Sequence, residues 1–153
     1  MISIEPFTED KIDDVMTFER RIRKQETDTY LWDAGEDYRK ALHNSFHDPR
    51  FVNAVSLLAY RKGKVIGRID ASIISSKSDA ACSSAYLDWI CVLKSERHNN
   101  VAQMMLEELR KILKHKKVEV LIALMASNEE AQKFYRSIRN ASIQDGAIWI
   151  NTN

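Results

Sequence analysis

Scarcity narrows the field first. The 153 residues include only two cysteines, Cys82 and Cys91, too few for a disulfide framework. Cys91 lies inside an apolar run and is read as a small core residue. No apolar stretch approaches the roughly 20 residues that span a bilayer. Residues 1–5 lack the charged and apolar regions of a signal peptide, so a cytoplasmic location without a membrane partner is expected. Lys and Arg number 23 against 22 Asp and Glu, which removes the basic excess of a dedicated nucleic-acid binder. The one short basic run, Lys114, His115, Lys116 and Lys117, falls at a predicted helix C-terminus, where cations complement the helix dipole. No serine sits in a G-x-S-x-G elbow, and no G-x-x-x-x-G-K-S/T loop exists for a nucleotide. His43 and His47 are spaced i, i+4 on a predicted helix. Asn44 replaces the glutamate of a zinc-protease motif, no third ligand is evident, and no metal is expected.

What is present is an ordinary globular balance. Apolar residues make up 44% and charged residues 29%, enough for one core, and the whole chain 1–153 is read as a single domain. Ile2 and Ile4 alternate with Ser3 and Glu5, predicting a strand that ends at Pro6. Thr8 then caps a helix whose stripe is Ile12, Val15, Met16, Phe18 and Ile22. A second helix carries Tyr38, Ala41, Leu42, Ser45 and Phe46 inward and closes at Pro49. Residues 51–60 and 65–74 form a hairpin about the turn at 61–64, a polar loop covers 75–81, and residues 84–92 form an apolar strand. Val101, Met104, Met105, Leu109, Ile112 and Leu113 repeat at helical spacing, and residues 118–125 read as a buried parallel strand. A short helix over 128–137 and a hairpin about Asp145-Gly146 complete the chain. The fold class is therefore α/β (α+β) with a mixed sheet, in the order β1-α1-α2-β2-β3-β4-α3-β5-α4-β6-β7. The unit over 84–125 is a parallel strand–helix–strand crossover.

That crossover contains the chemistry-bearing bend. A strand ending at Val92 runs through polar residues 93–99 into a helix that starts near Asn100. A helix N-terminus offers unpaired N–H groups and partial positive charge to an anion, and Arg97 adds a permanent cation. Many helices begin this way, so the register must carry the weight.

Ile90-Cys91-Val92, then Arg97-His98-Asn99-Asn100-Val101-Ala102, then Asn128, Ala131, Phe134 and Tyr135 together resemble the GNAT N-acetyltransferase superfamily. The pattern is an apolar strand end, R/Q-x-x-G-x-G/A, a further strand and N-x-x-A-x-x-F/L-Y. The resemblance implies acetyl-CoA as co-substrate. Ile90, Cys91 and Val92 would pair with its pantetheine arm like an added strand. Arg97, His98, Asn99, Asn100, Val101 and Ala102 would hold its pyrophosphate. Asn128 would bond the pantetheine, Ala131 would leave it room beside Phe134, and Tyr135 would reach the sulfur. The chain departs from the pattern at one telling place. Its four glycines, Gly35, Gly63, Gly67 and Gly146, all lie outside the bend. Asn100 stands at the first glycine position, and among residues with a side chain asparagine tolerates positive φ best. Arg139-Asn140 also replaces the usual Gly-Phe after the last helix.

The chemistry so implied is direct attack by an amine in a ternary complex. Alkyl amines resemble lysine, with a pKa of about 10.4, so a base must remove a proton. A phenol near 10, here Tyr135, can return one to the leaving thiolate. Asp88, among apolar neighbours on the strand facing the acceptor, is the candidate base, although strand alternation also allows it to face solvent. Ala123 occupies a place where some members carry a glutamate base. The acidic segment 25–37 lies where the family forms part of the acceptor site, and Asp28, Tyr30, Trp32 and Asp33 are the candidate acceptor contacts. A solvated acidic loop with two anchoring aromatics is the competing reading. The helix pattern and short C-terminal hairpin faintly resemble aminoglycoside 3-N-acetyltransferases. The expected partner is a small-molecule amine, and a homodimer enters only because dimers are common in the family. A protein or peptide acetyltransferase and a non-catalytic CoA-binding module are the alternatives.

Overall fold

Alternation in the first residues produces β1 (Ile2–Pro6), and the rest of the order follows closely. The structure is a computed structural model describing residues 1–75 and 83–152. Of the expected loop over 75–81 only Ser75 is among them, and Cys82 also lies outside the described residues. The chain divides into two compact units, Met1–Ile122 and Ala123–Asn153.

The first unit holds α1 (Ile12–Gln25), α2 (Glu36–Ser45), β2 (Ala54–Arg61), β3 (Lys64–Ile74), β4 (Ser83–Val92), α3 (Val101–His115) and β5 (Val118–Ile122). One mixed sheet runs in the order β1-β2-β3-β4-β5, antiparallel except for the parallel β4–β5 pair. The β2–β3 hairpin turns through Lys62 (φ 51°) and Gly63 (φ 69°), the two left-handed residues that a tight two-residue turn requires. Arg68 reaches Glu19 on α1 and Tyr38 on α2, whereas Gly67 faces Met105 on α3. Successive strand residues point to opposite faces, so α1 and α2 cover one face of the sheet and α3 the other. The α1 stripe is buried as its spacing predicts. On α3 the buried set is Val101, Met105, Leu106, Leu109 and Leu113.

Four expectations need correction. Thr8 precedes a 3₁₀ turn, Glu9–Lys11, rather than α1 itself, and makes no side-chain cap bond. On α2 only Leu42 is buried, while Ala41 and Phe46 are exposed, Phe46 standing edge-on to Phe7. Strand β5 is an edge strand rather than a buried one, with Val120 52% and Ile122 47% exposed. In the second unit α4 (Glu129–Arg136) forms, but among the described residues no strand follows β5. Asp145 takes a positive φ of 55°, yet Ile143, Ile148, Trp149 and Ile150 on either side remain exposed. Two short strands without further partners have too little apolar burial to hold as a hairpin. No helix among the described residues is long and apolar enough to cross a membrane.

Leu109 is wholly buried on α3. Leu109→Ala should therefore lower unfolding free energy by about 2–5 kcal/mol, read as a lower urea midpoint at unchanged slope.

Candidate active site

One extra residue in β4 sets the geometry. Asp70 on β3 pairs with Trp89, but the next residue, Ala71, pairs with Leu87, so Asp88 has no partner of its own. Such a bulge bends its strand and re-aims side chains. Trp89 remains on the α1/α2 face with Asp70, and Asp88 joins it there, accepting a 2.6 Å hydrogen bond from the Ser72 hydroxyl. On its other side β4 loses its neighbour before the bulge, because β5 ends at Ile122. Its pairing with β5 covers only Ser83 to Tyr86, whereas its pairing with β3 continues to Val92. The Leu93 N–H bonds the Ile66 carbonyl at 2.9 Å. By antiparallel alternation the Cys91 backbone then faces β3, and the Ile90 and Val92 groups face the side that β5 has left.

The bend after Val92 is shaped without glycine. Buried Leu93 anchors it, and a 3₁₀ turn, Lys94–Glu96, follows. His98 (φ 64°) and Asn100 (φ 59°, ψ 17°) both adopt the left-handed conformation. Asn100 thus occupies the backbone state that its position demanded. The Asn100 side chain makes no cap bond to the first turn of α3. Arg97, read from sequence as a phosphate-facing cation, has other partners in this structure. Its Nε donates to the Val92 carbonyl at 3.1 Å and its guanidinium pairs with Glu26, bracing the bend against the end of α1. Gln25 with Ser95 (3.2 Å) and Arg61 with Glu96 (2.6 Å) add to that brace.

On the α1/α2 face an aromatic cluster gathers over the bulge. Tyr30, Trp32 and Trp89 meet edge to face at centroid distances of 5.3–5.8 Å. The Arg23 guanidinium lies 5.0 Å from the Trp32 centroid and donates to its carbonyl. The Tyr30 hydroxyl sits 2.9 Å from Cys91 Sγ. Burial pushes the Cys91 thiol up to about 11, with the Tyr30 bond opposing the shift, and burial likewise raises the Tyr30 phenol. Of the four acceptor candidates on this segment, Tyr30 and Trp32 converge on β4, whereas Asp28 and Asp33 are exposed.

Beneath the cluster runs a charged network that periodicity did not single out. Glu19 is 1% exposed, inside the apolar stripe of α1. Arg23 bonds it at 2.7 Å, the Tyr38 hydroxyl at 3.2 Å and Arg68 at 3.4 Å. Arg68 also donates to the Tyr38 oxygen at 2.8 Å and lies 2.7 Å from Asp70 Oδ2. Arg23 Nη2 and Asp70 Oδ1 are buried without a hydrogen-bond partner. Asp88 is exposed, yet partial desolvation against the sheet face raises its carboxyl above the ordinary value; Ser72 opposes that shift and the Asp70 charge adds to it. The available sequence signal was the polar alternation Arg68, Asp70, Ser72 along β3, together with one carboxylate in a helix's apolar stripe.

The second unit holds Asn128, Ala131, Phe134 and Tyr135. Asn128 caps α4 through its Oδ1, which accepts from the Ala131 N–H at 2.8 Å. The Phe134 and Tyr135 rings meet edge to face at 5.4 Å.

Residues 17–139 match the family model described as the acetyltransferase (GNAT) family. No curated protein matches the chain in sequence. Solved structures resemble it over nearly their whole length. One is an aminoglycoside antibiotic 6′-N-acetyltransferase from Acinetobacter baumannii (15% identity, 100% of this chain and 99% of that one, TM-score 0.74). Another is AAC(6′)-Iy in complex with the bisubstrate analogue CoA-S-monomethyl-acetylneamine (15%, 100% and 99%, TM-score 0.75). A third is a ribosomal-protein-alanine N-acetyltransferase from Brucella melitensis biovar Abortus 2308 (12%, 99% and 99%, TM-score 0.73). At such identities the likeness is one of fold.

A thiol raised to about 11 is almost wholly protonated at neutral pH. In a Cys82→Ser chain, alkylation at pH 8 should run roughly a hundredfold slower than for a free thiol of pKa near 8.5, and should quicken as pH rises towards 11. A rate equal to that of a free thiol would contradict the burial of Cys91.

Proposed function

The chain belongs to the acetyltransferase (GNAT) family, and from that premise we propose that it transfers acetyl from acetyl-CoA to an amine of a small polycationic acceptor. The observation that carries this reading is the Asp88 bulge. On the α1/α2 face it sets the Asp88 carboxylate next to Trp89, one ring of the aromatic cluster, on a stretch of β4 that lies beyond its pairing with β5.

The residues fit the coenzyme. The outward backbone of Ile90 and the Val92 N–H support strand-like pairing with an amide-bearing arm, while the Val92 carbonyl is held by Arg97. Left-handed Asn100, whose side chain makes no cap bond, supports an anion beside the Val101 and Ala102 amides, with His98 and Asn99 at the rim. When bound, acetyl-CoA supplies the activated acetyl thioester. Asp88 takes the proton from the attacking ammonium, and its raised pKa suits a base better than an ordinary carboxylate would. Partial desolvation raises it, and the Asp70 charge adds to that. Trp32, Trp89 and Tyr30 give the acceptor an apolar and cation-attracting wall, with Asp28 and Asp33 adding negative charge at longer range. Cys91, protonated and buried, is a poor acyl carrier at neutral pH, which favours direct transfer over a covalent relay. Tyr135 on α4 is assigned the return of a proton to the leaving thiolate.

One observation favours the second reading, a CoA-binding module without turnover: Arg97 gives its charge to Glu26. Acetyl-CoA at a hundred times its Kd should stabilise the fold by about 2.7 kcal/mol and raise Tm; an unmoved Tm overturns both readings. Thiol release over aminoglycosides, polyamines and peptide N-termini then identifies the acceptor class, and no release with any acceptor, despite a raised Tm, leaves the module. Asp88→Asn and Tyr135→Phe should each lower kcat about 10²-fold or more while the acetyl-CoA shift persists. The acid limb of kcat/KM, where Asp88 takes up its proton, should lie above the ordinary carboxylate range and disappear in Asp88→Asn.

A further inference from the structure

The two histidines of α2 have a third partner from elsewhere in the chain. His43 and His47 stand one turn apart with ring centroids 5.3 Å from each other. Both Nε2 atoms turn to a single oxygen, Glu9 Oε1, at 2.9 and 2.8 Å. Glu9 belongs to the 3₁₀ turn before α1, 38 residues from His47. The absence of a third ligand, read from the i, i+4 spacing alone, is thereby corrected.

The geometry points to a zinc-class divalent metal site formed by Glu9, His43 and His47. One carboxylate oxygen can accept two imidazole N–H groups, so hydrogen bonding alone accounts for the arrangement without a metal. The donor set argues for more. Neutral imidazole with N–H at Nδ1 presents a lone pair at Nε2, and two imidazoles with one carboxylate are a ligand set that zinc accepts. The three ligand atoms lie within 4.8 Å of one another. Bonds of about 2.0–2.2 Å in tetrahedral geometry need ligand atoms roughly 3.3 Å apart. The imidazole–carboxylate distances therefore have to open by about half an ångström, a small adjustment for three side chains at the surface. Two neutral imidazoles and one carboxylate leave a bound dication with a single net positive charge, and the adjoining cleft is charge-balanced, lined by Asp10 and Asp13 with Arg39 and Lys40. An open fourth position is left to water. The site would clamp α2 to the turn that starts α1, where Arg39 and Asp13 already pair. It shares no residue with the acetyl-transfer site, so it stands or falls separately.

The test uses the full chain, stripped with a chelator and titrated with Zn²⁺ alone by calorimetry. One ion per chain should bind. His43→Ala, His47→Ala and Glu9→Gln should each weaken uptake at least tenfold, while His115→Ala leaves it unchanged. Far-UV circular dichroism of the metal-free variants checks that each is folded. In the unsubstituted chain, Zn²⁺ should shift the imidazole proton resonances of two histidines and leave those of His98 and His115 in place. Equal uptake by the unsubstituted chain and the three variants, shifts centred on His98 or His115, or no saturable uptake at micromolar zinc would each overturn the site and leave only a pair of hydrogen bonds.

Discussion

The single extra residue in β4 is the constraint on which the rest of the site depends. A sheet of fixed register would keep Asp88 and Trp89 on opposite faces. By giving Asp88 no partner on β3, the chain brings two successive side chains to the α1/α2 face. Two surfaces lie beside this irregularity. One is the edge of β4 beyond Tyr86, where pairing has stopped at the last residue of β5 and Arg97 holds the Val92 carbonyl. The other is an exposed carboxylate next to Trp89, a member of the aromatic cluster. In a regular ladder the sheet's alternation would remove the second.

A bulge of this kind needs support, and the buried charges beneath it supply that support. Glu19, Arg23, Arg68 and Asp70 sum to zero net charge, which removing any one of them would upset. Taking each ion out of water costs several kcal/mol, so such a network is weak evidence for stability and better evidence for a defined arrangement. It fixes α1, α2 and β3 relative to one another through directional bonds, where apolar contacts alone would allow sliding. Among the described residues the three buried polar atoms without a hydrogen bond, Arg23 Nη2, Arg68 Nε and Asp70 Oδ1, all belong to this network, on the face that holds the aromatic cluster. In most folded proteins such atoms find partners, and their exceptions concentrate at functional places.

The glycine-free bend illustrates how one backbone requirement can be met by different chemistry. The position needs a left-handed residue to aim the first turn of α3, and Asn100 adopts that conformation at lower cost than other side-chain-bearing residues. His98 does the same two residues earlier, where no glycine would have been expected. Arg97, just before His98, is drawn back onto Glu26 and the Val92 carbonyl, so it stiffens the bend from below. Shape that glycine confers by permissiveness is here conferred by bracing.

The sequence by itself determined the element order from β1 to α4, the apolar stripe of α1, the β2–β3 turn and the left-handed demand on Asn100. Each is a local matter, decided by side-chain periodicity and backbone sterics within a few residues. Tertiary structure alone decided the rest. Spacing could not reveal that Asp88 is the bulged residue, because a bulge is defined by a partner strand. Nor could it join Glu19 to Arg68 across 49 positions, or Glu9 to His47 across 38. The apolar run of β5 promised burial on both faces, but its place at the sheet edge left Val120 and Ile122 exposed. Periodicity records which face a residue shares with its neighbours in sequence; what covers that face is settled only when distant segments meet.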